Sequence, residues 1–197
     1  MQKSDQLETL LQEGKGYIST KDALSLGISA PYFYDFVSQH ALIREARGLY
    51  RNEDAWEDEL YVISILNQRV CFSHETALYL NDLMEREPFE ITVTAPRRYN
   101  ASHLRKRNIR VFQLPEDQYS IGQTILATPM GHNVAVYDKE RAILDLLRNK
   151  EHTDIQIFRT AFKLYFERKD KNIPLLMRYA TAFKMEEEMR NYLEVLL

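Results

Sequence analysis

The first 51 residues carry a hydrophobic pattern that predicts three short helices followed by two short strands. Leu7, Leu10 and Leu11 fall on one face of a first amphipathic helix, which begins at Ser4 or Asp5. A helix with a single apolar face must pack against other elements. We therefore expect this first helix to support the two that follow it.

A tight turn separates the second and third predicted helices. Thr20 is placed to cap a helix over residues 21–26, and Gly27 fits the left-handed backbone that often ends a helix. Ser29 can then cap a third helix over residues 30–39. Two helices joined across a turn of about three residues are typical of a helix-turn-helix.

The third predicted helix has two chemically distinct faces. Its apolar face carries Phe33, Phe36, Val37 and His40. The other face is free to enter a DNA groove. We predict that it directs Tyr32, Tyr34, Asp35 and Ser38 toward base edges, sugar or phosphate, while Lys21 is available to the DNA backbone.

Two short strands, residues 42–44 and 49–51, flank a turn that contains Gly48. They complete the pattern of a winged helix-turn-helix. We expect Arg44, Arg47 and Arg51 of this wing to hold phosphates or to enter a minor groove. The alternative interpretation is a small helical domain that merely ends in a hairpin.

An acidic stretch follows the wing. Five acids lie within eight residues that contain no Lys or Arg: Glu53, Asp54, Glu57, Asp58 and Glu59. We place the domain boundary here, with a DNA-binding domain over residues 1–59 and a second domain over residues 60–197. Because acids also favour the start of a helix, we expect a connecting helix over residues 54–66, with Trp56 on its apolar side.

The rest of the chain predicts a mixed α/β domain. A helix runs from Ser73 to residue 81 or 82. The strand candidates are residues 89–94, 110–114, 123–127 and 133–137, and a helical tail begins at residue 139. The expected fold class is therefore α+β: an N-terminal winged helix-turn-helix followed by a mixed domain with a small sheet and a helical C-terminal tail.

Composition limits the possible functions. The 197 residues have a formal charge of −3 and are 45% hydrophobic, so DNA binding must come from local cationic clusters. The single cysteine, Cys71, excludes an intramolecular disulfide. The N-terminus lacks a signal-peptide core, and no apolar run reaches the roughly 20 residues that span a bilayer. We therefore expect a cytoplasmic protein with no membrane partner.

Enzymatic signatures are weak. Ser73, His74 and Glu75 are adjacent, but neighbours at a helix start point in different directions, and Ser73 is already explained as a cap. The five histidines lack metal-ligand spacing, and the glycines form no phosphate-binding loop. We expect no catalytic residue, no metal, no cofactor and no enzymatic activity.

Residues 97–110 contain six positive charges and no acid. The predicted functional surface in this segment consists of Arg97, Arg98, Arg105, Lys106 and Arg107. Such one-sided charge fits a surface that binds DNA phosphates, RNA or an acidic partner. A solvated loop is the alternative, and the pattern alone does not choose between them.

Several separated segments resemble the AbiEi-like antitoxins of type IV abortive-infection systems. The resemblance lies in LGIS before the third helix, ALIREARGLYR across the wing, FSHETALYLNDL, FEITVTAP and, above all, VAVYDKERAILDLLR. In order and spacing these segments span most of residues 18–148. The turn over residues 137–141 (Tyr137 to Arg141) and Asp145 belong to the last segment, and we assign them first to fold stability, with Glu140 and Arg141 as a surface pair.

The resemblance implies an antitoxin with two roles. It implies repression of its own operon through double-stranded promoter DNA with inverted repeats. It also implies neutralisation of a nucleotidyltransferase-like toxin encoded alongside it, without a stable complex between the two. Two other hypotheses remain open: a protein-interaction module that docks the toxin, and a toxin-modifying enzyme built on the second domain, neither of which would need DNA.

Overall fold

A computed structural model describes residues 2–196 of the chain. It contains two compact units. The first extends to Leu66 and includes Met130–His132, and the second contains Asn67–Pro129 and the chain from Asn133 onward. The predicted division of roles between residues 1–59 and 60–197 stays a prediction.

The first unit has the order helix, strand, helix, helix, strand, strand, helix. Its elements are α1 (Lys3–Glu13), β1 (Tyr17–Ser19), α2 (Thr20–Ser25), α3 (Ala30–Gln39), β2 (Ile43–Ala46), β3 (Leu49–Arg51) and α4 (Glu59–Leu66). The three strands form an antiparallel sheet in the order β1-β3-β2. This topology confirms the predicted winged helix-turn-helix start.

One apolar cluster connects the helices of the first unit to its wing. Its buried members are Leu7, Ile18, Ala23, Ile28, Phe33, Phe36, Leu42 and Tyr50. Full burial of a large apolar side chain contributes about 1.5–3 kcal/mol. Because α3 contributes Phe33 and Phe36 to this cluster, its opposite face must point outward, as the helical period predicts.

The turn between α2 and α3 largely follows the prediction. Gly27 has a φ of +75°, in the left-handed region that suits glycine. The cap of α2, however, lies one residue earlier than expected: Ser19 Oγ accepts a hydrogen bond of 3.0 Å from the Asp22 amide, and Thr20 is the first helical residue. Ser29 occupies the cap position of α3 without a side-chain cap bond.

The connecting helix is shorter than expected because Arg51 organises the chain before it. Its Nη1 atom donates to the carbonyl oxygens of Asn52, Glu53 and Ala55, which holds this segment outside a helix. The helix α4 begins at Glu59. The expectation for Trp56 was therefore wrong: its side chain is 79% exposed.

The second unit combines a five-stranded sheet with seven α-helices among the described residues. Its elements are β4 (Cys71–Phe72), α5 (His74–Leu80), β5 (Thr92–Pro96), α6 (Ser102–Arg105), β6 (Arg110–Leu114), α7 (Glu116–Tyr119), β7 (Gln123–Ala127), β8 (Asn133–Tyr137), α8 (Lys139–Arg148), α9 (Ile155–Glu167), α10 (Ile173–Ala182) and α11 (Glu186–Leu196). The strand order is β6-β5-β4-β8-β7. The pairs β5–β6 and β4–β8 are parallel, and the other two pairs are antiparallel. The α+β fold class is thus confirmed.

The strand predicted over residues 89–94 lies further along the chain, at Thr92–Pro96. Phe89 is fully exposed. The Thr92 amide donates to Thr76 Oγ1 at 2.8 Å, and this bond with α5 fixes the start of β5. Pro96 is tolerated because β4 pairs only with Val93 and Thr94, so no ladder bond from β4 needs the missing amide.

The segment at the start of α8 is a buried ionic cluster, so the expected surface pair of Glu140 and Arg141 was wrong. Both side chains are almost completely buried, as is Asp145. Arg141 Nε lies 3.1 Å from Asp145 Oδ2, and Arg141 Nη1 donates to the carbonyls of Gln118 and Ile121 at 2.9 and 2.7 Å. The packing leaves no room for a larger residue at Gly122, where a Cβ atom would lie 2.6 Å from Arg141 Cβ.

Candidate nucleic-acid interface

The outward face of α3 presents aromatic and hydroxyl groups. Tyr32 and Tyr34 are 38% and 49% exposed, and Asp35 and Ser38 are also exposed. The Tyr34 ring packs edge-on against Phe33 and Tyr50, with centroid distances of 5.7 and 6.4 Å. These contacts hold the ring while about half of the residue stays exposed, a combination suited to contacts in a groove.

The α3 face carries no cation. Residues 1–66 contain six Lys and Arg against eleven Asp and Glu, a net charge of −5. Lys21, at the exposed start of α2, is one of the few cations on the first unit. Lys3 lies close to this face, with its Nζ atom 5.7 Å from the Tyr32 ring centroid. The contacts of Lys21 and the wing with phosphates stay a prediction.

The wing presents two of its three arginines to solvent. Arg44 lies on β2 beside a register shift between Arg44 and Ala46, and Arg47 lies in the turn that precedes Gly48. The Gly48 carbonyl accepts a 2.8 Å hydrogen bond from the Thr20 amide, which ties the turn to the start of α2. Arg44 and Arg47 are thus able to extend from a fixed backbone.

Arg51 has a different role from the other wing arginines. It is only 5% exposed, and its Nε atom lies 2.6 Å from Glu45 Oε1. Its Nη2 atom lies 3.2 Å from Glu57 Oε1. A guanidinium occupied in this way cannot also reach a phosphate, so we correct the predicted interface by removing Arg51 from it.

Residues 97–110, the basic segment, have a backbone that is fixed by hydrogen bonds. Gln113 Nε2 donates to the carbonyls of Arg97 and Tyr99 at 3.3 and 2.8 Å. Asn67 Oδ1 lies 3.0 Å from Tyr99 Oη and 2.6 Å from His103 Nε2. The five residues that we predict to form the functional surface of the basic segment are all exposed: Arg97, Arg98, Arg105, Lys106 and Arg107. The segment is therefore a cationic surface on a well-ordered part of the second unit, and its binding of a polyanion stays a prediction.

The Ser73–His74 pair lies inside the second unit. Ser73 Oγ is 3.0 Å from His74 Nδ1, so the expectation that these side chains point apart was wrong. The His74 ring stacks on Phe112 at a centroid distance of 3.6 Å, and both Ser73 and His74 are buried. Burial lowers the pKa of His74 to about 4. The arrangement is typical of core packing.

The lowered pKa of His74 predicts acid sensitivity of the fold. His74 binds a proton near pH 6.5 in the unfolded chain but only near pH 4 in the folded protein. The contribution of neutral His74 to stability is therefore complete above pH 6.5 and is lost as the pH falls toward 4. The loss approaches about 1.4 kcal/mol per pH unit in this window. Urea unfolding at about pH 7 and about pH 4.5 measures it.

The matched variant is His74→Asn, because asparagine tolerates the positive φ of +48° at this position. It should lose less stability than the wild type between the two pH values. Equal losses in both proteins would contradict the assignment of this acid sensitivity to His74.

The residues that the structure describes include no group of His, Cys, Asp or Glu that could hold a metal ion. Across residues 2–196, no helix combines the length and the apolar character needed to cross a membrane.

The geometry of the first unit defines a winged helix-turn-helix protein with an aromatic third helix and an arginine-bearing wing. Residues 5–52 match a family described as "Transcriptional regulator, AbiEi antitoxin". This match supports the resemblance to the AbiEi-like antitoxins over the N-terminal segment of the chain.

Among solved structures, one similar fold is the RV2827C protein from Mycobacterium tuberculosis. It shares 10% sequence identity and a TM-score of 0.55, over 89% of this chain and 69% of that chain. This likeness shows a shared fold and nothing about activity. No curated protein matches the chain.

Proposed function

We propose that this protein is an antitoxin that represses its own operon by binding inverted repeats in the promoter. We further propose that it neutralises a nucleotidyltransferase-like toxin encoded alongside it. The observation that carries the DNA-binding half is the arrangement of α3: Phe33 and Phe36 anchor it, while Tyr34 and Ser38 face outward. The family match over residues 5–52 is to a transcriptional regulator and supports the same half.

The acidic charge of the first unit makes the proposal specific. Lys21, Arg44 and Arg47 are its candidate phosphate contacts. Each bound protein molecule should therefore release only a few counterions from the DNA. Asp35 repels phosphates but can accept a hydrogen bond from the amino group of cytosine. We therefore propose that direct readout by the α3 side chains, more than charge, selects the operator.

Replacing Tyr34 and Ser38 by alanine should weaken operator binding by about 1–3 kcal/mol for each base that is no longer recognised, while the fold survives. Both side chains are exposed, so their removal leaves no cavity. A gel-shift titration on the upstream DNA measures the effect, with Gln12→Ala on the exposed side of α1 as the control. Unchanged affinity of the double variant would remove α3 from the proposed interface.

Alanine at Arg44 or Arg47 should make binding less sensitive to salt. Each phosphate contact contributes about 0.9 to the slope of log K against log salt, so each substitution should flatten the slope by that amount. Lys163→Ala, on the exposed side of α9, should leave the slope unchanged. Arginine variants that bind as tightly as wild type, with the same salt slope, would count against a wing contact.

The antitoxic role is assigned to the second unit and its basic segment. An antitoxin that forms no stable complex with its toxin can act on the target of the toxin. For a nucleotidyltransferase-like toxin that target is a nucleotide or a nucleic acid, and either is anionic. The fixed backbone beneath Arg97 and the exposure of the neighbouring cations support this assignment. A stable complex of antitoxin and toxin on co-purification would instead favour the protein-interaction alternative, and turnover abolished by changing a single carboxylate or His74 would favour the enzyme.

A further inference from the structure

The outermost strand of the five-stranded sheet, β7, has an open edge. It pairs with β8 through all five of its residues with no register shift. The Asp138 amide donates to the Gly122 carbonyl at 2.7 Å, so Gly122 and Asp138 form a hydrogen-bonded pair. Since such pairs alternate along an antiparallel ladder, the main-chain groups of Gln123, Ile125 and Ala127 point away from β8.

This edge lacks the devices that usually protect an exposed strand. Residues 120–137 form an uncharged stretch of 18 residues, interrupted only by His132, in a chain that is 28% charged. The strand β7 has no proline and no bulge. By contrast, β2 at the edge of the other sheet carries a register shift and two charged residues, and β6 begins with Arg110 and is followed by Pro115. An uncharged, regular edge is a template for another strand.

The exposure of the β7 side chains also indicates an open edge. The three residues whose main chain points outward are also exposed, and Ile125 at their centre is 59% exposed. An exposed branched apolar residue at the middle of an open strand is typical of a position covered by a partner strand.

We propose that β7 is a self-association edge, at which two copies of the chain pair their β7 strands antiparallel about a two-fold axis at Ile125. Ile125 then faces Ile125 of the second copy, and Gln123 faces Ala127. The three outward-facing residues of each copy supply about six main-chain hydrogen bonds. The sheet becomes continuous through both copies.

The absence of charge identifies a second copy as the occupant. In a two-fold pair the residue on the axis meets itself, so a charged residue at the centre would face an identical charge. Here the centre is isoleucine, flanked by threonine and leucine, and no like charges oppose one another. A basic or acidic partner would find nothing on β7 to complement its charge.

The pairing is weak in free solution because the edge is short. Five residues span about 17 Å, which gives a contact below the size of a stable interface. Two copies on neighbouring DNA sites are held at a high local concentration, which favours the pairing. This last step rests on the proposed function, since an inverted repeat has the same two-fold symmetry, whereas self-association through β7 does not depend on DNA.

Sedimentation equilibrium of the full chain tests the proposal. The wild type should associate reversibly to a dimer, and Ile125→Lys should weaken the association at least about tenfold, because two like charges then meet at the axis. The matched control is Gln156→Lys, which adds the same charge at an exposed position of α9. A wild type that stays monomeric up to about millimolar concentration, or an Ile125→Lys variant that associates like the control, overturns the proposal.

Oxidative cross-linking locates the contact. Because the natural Cys71 is buried, a cysteine introduced by Ile125→Cys should be the reactive thiol and should form a disulfide-linked dimer, whereas Gln156→Cys should not. Equal cross-linking of the two variants overturns the proposal. On promoter DNA, Ile125→Lys should bind one half-site normally and lose cooperativity on two. Failure of every protein to bind the promoter would refute the proposed function, while the sedimentation result would still decide the role of β7.

Discussion

Replacing Arg141 by alanine is expected to destabilise the second unit by about 3–5 kcal/mol, a large part of the stability of a typical domain. The guanidinium is completely buried, and its ion pair with Asp145 is the reason for the cost. Removing Arg141 leaves the buried Asp145 carboxylate, among the residues that the structure describes, with only the partly exposed Arg148 to balance its charge. The guanidinium carbon also lies 4.2 Å from the ring centroids of Tyr137 and Phe183, so the substitution removes two cation–π contacts as well.

The control for this prediction is Arg148→Ala. Arg148 Nη1 lies 2.9 Å from Asp145 Oδ1, but its side chain is partly exposed, so its removal should cost only about 1 kcal/mol or less. Denaturant unfolding of the full chain measures both variants. Equal stability of wild type and Arg141→Ala would contradict the structural role of the cluster.

Replacing both partners sharpens the test. The Nε atom of Arg141 and the Oδ2 atom of Asp145 are close, but they are not aligned as a hydrogen bond, and Arg141 Nη2 has no hydrogen-bond partner among the residues described. A buried ion pair whose hydrogen bonds are incomplete can often be replaced by apolar residues at a small cost in stability. The double variant Arg141→Met with Asp145→Leu should therefore lose less stability than the sum of the two single losses.

Reversing the charges of the basic segment should abolish protection from the toxin and leave promoter binding largely intact. The variant changes five exposed cations to glutamate: Arg97, Arg98, Arg105, Lys106 and Arg107. Since an anionic target would then meet a surface of its own sign, binding should be abolished and not merely weakened. A co-expression rescue assay run beside a promoter reporter measures both roles in the same cells.

The control reverses exposed cations on the helical tail: Arg159, Lys163, Lys169 and Lys184. It should still protect and still repress, because a general change of net charge is not the mechanism. Growth rescued by the variant of the basic segment would reduce that segment to a solvated surface. Loss of repression as well would assign it to the DNA-binding surface.

Periodic elements of this chain were predictable because their patterns are local. The spacing of Phe33 and Phe36 is sufficient to orient α3, and the strand candidates over residues 110–114, 123–127 and 133–137 coincide with β6, β7 and β8. The left-handed turn at Gly27 followed from the preference of glycine alone. These features depend on neighbours within a few residues, which the sequence displays directly.

Features that depend on distant partners were not predictable in the same way. Arg51 looked like a phosphate ligand until its pairing with Glu45 across the hairpin was visible, and the same side chain keeps Trp56 outside a helix. The strand β4 has only two residues, too few for any period. Arg141 and Glu140 resembled a surface pair because charged residues are rarely buried unless partners elsewhere compensate for them. Here the carbonyls of Gln118 and Ile121 compensate Arg141, and Tyr165 compensates Glu140.

The central claim, that this protein reads its own promoter as a pair of molecules on an inverted repeat, is tested most directly by a footprint on the upstream DNA. At saturation the wild-type protein should protect two half-sites whose centres lie about one helical turn, or a multiple of it, apart. The variant lacking the Tyr34 and Ser38 side chains should need a higher concentration to protect either half-site. A single protected half-site at saturation, or equal protection of unrelated DNA, would contradict the account.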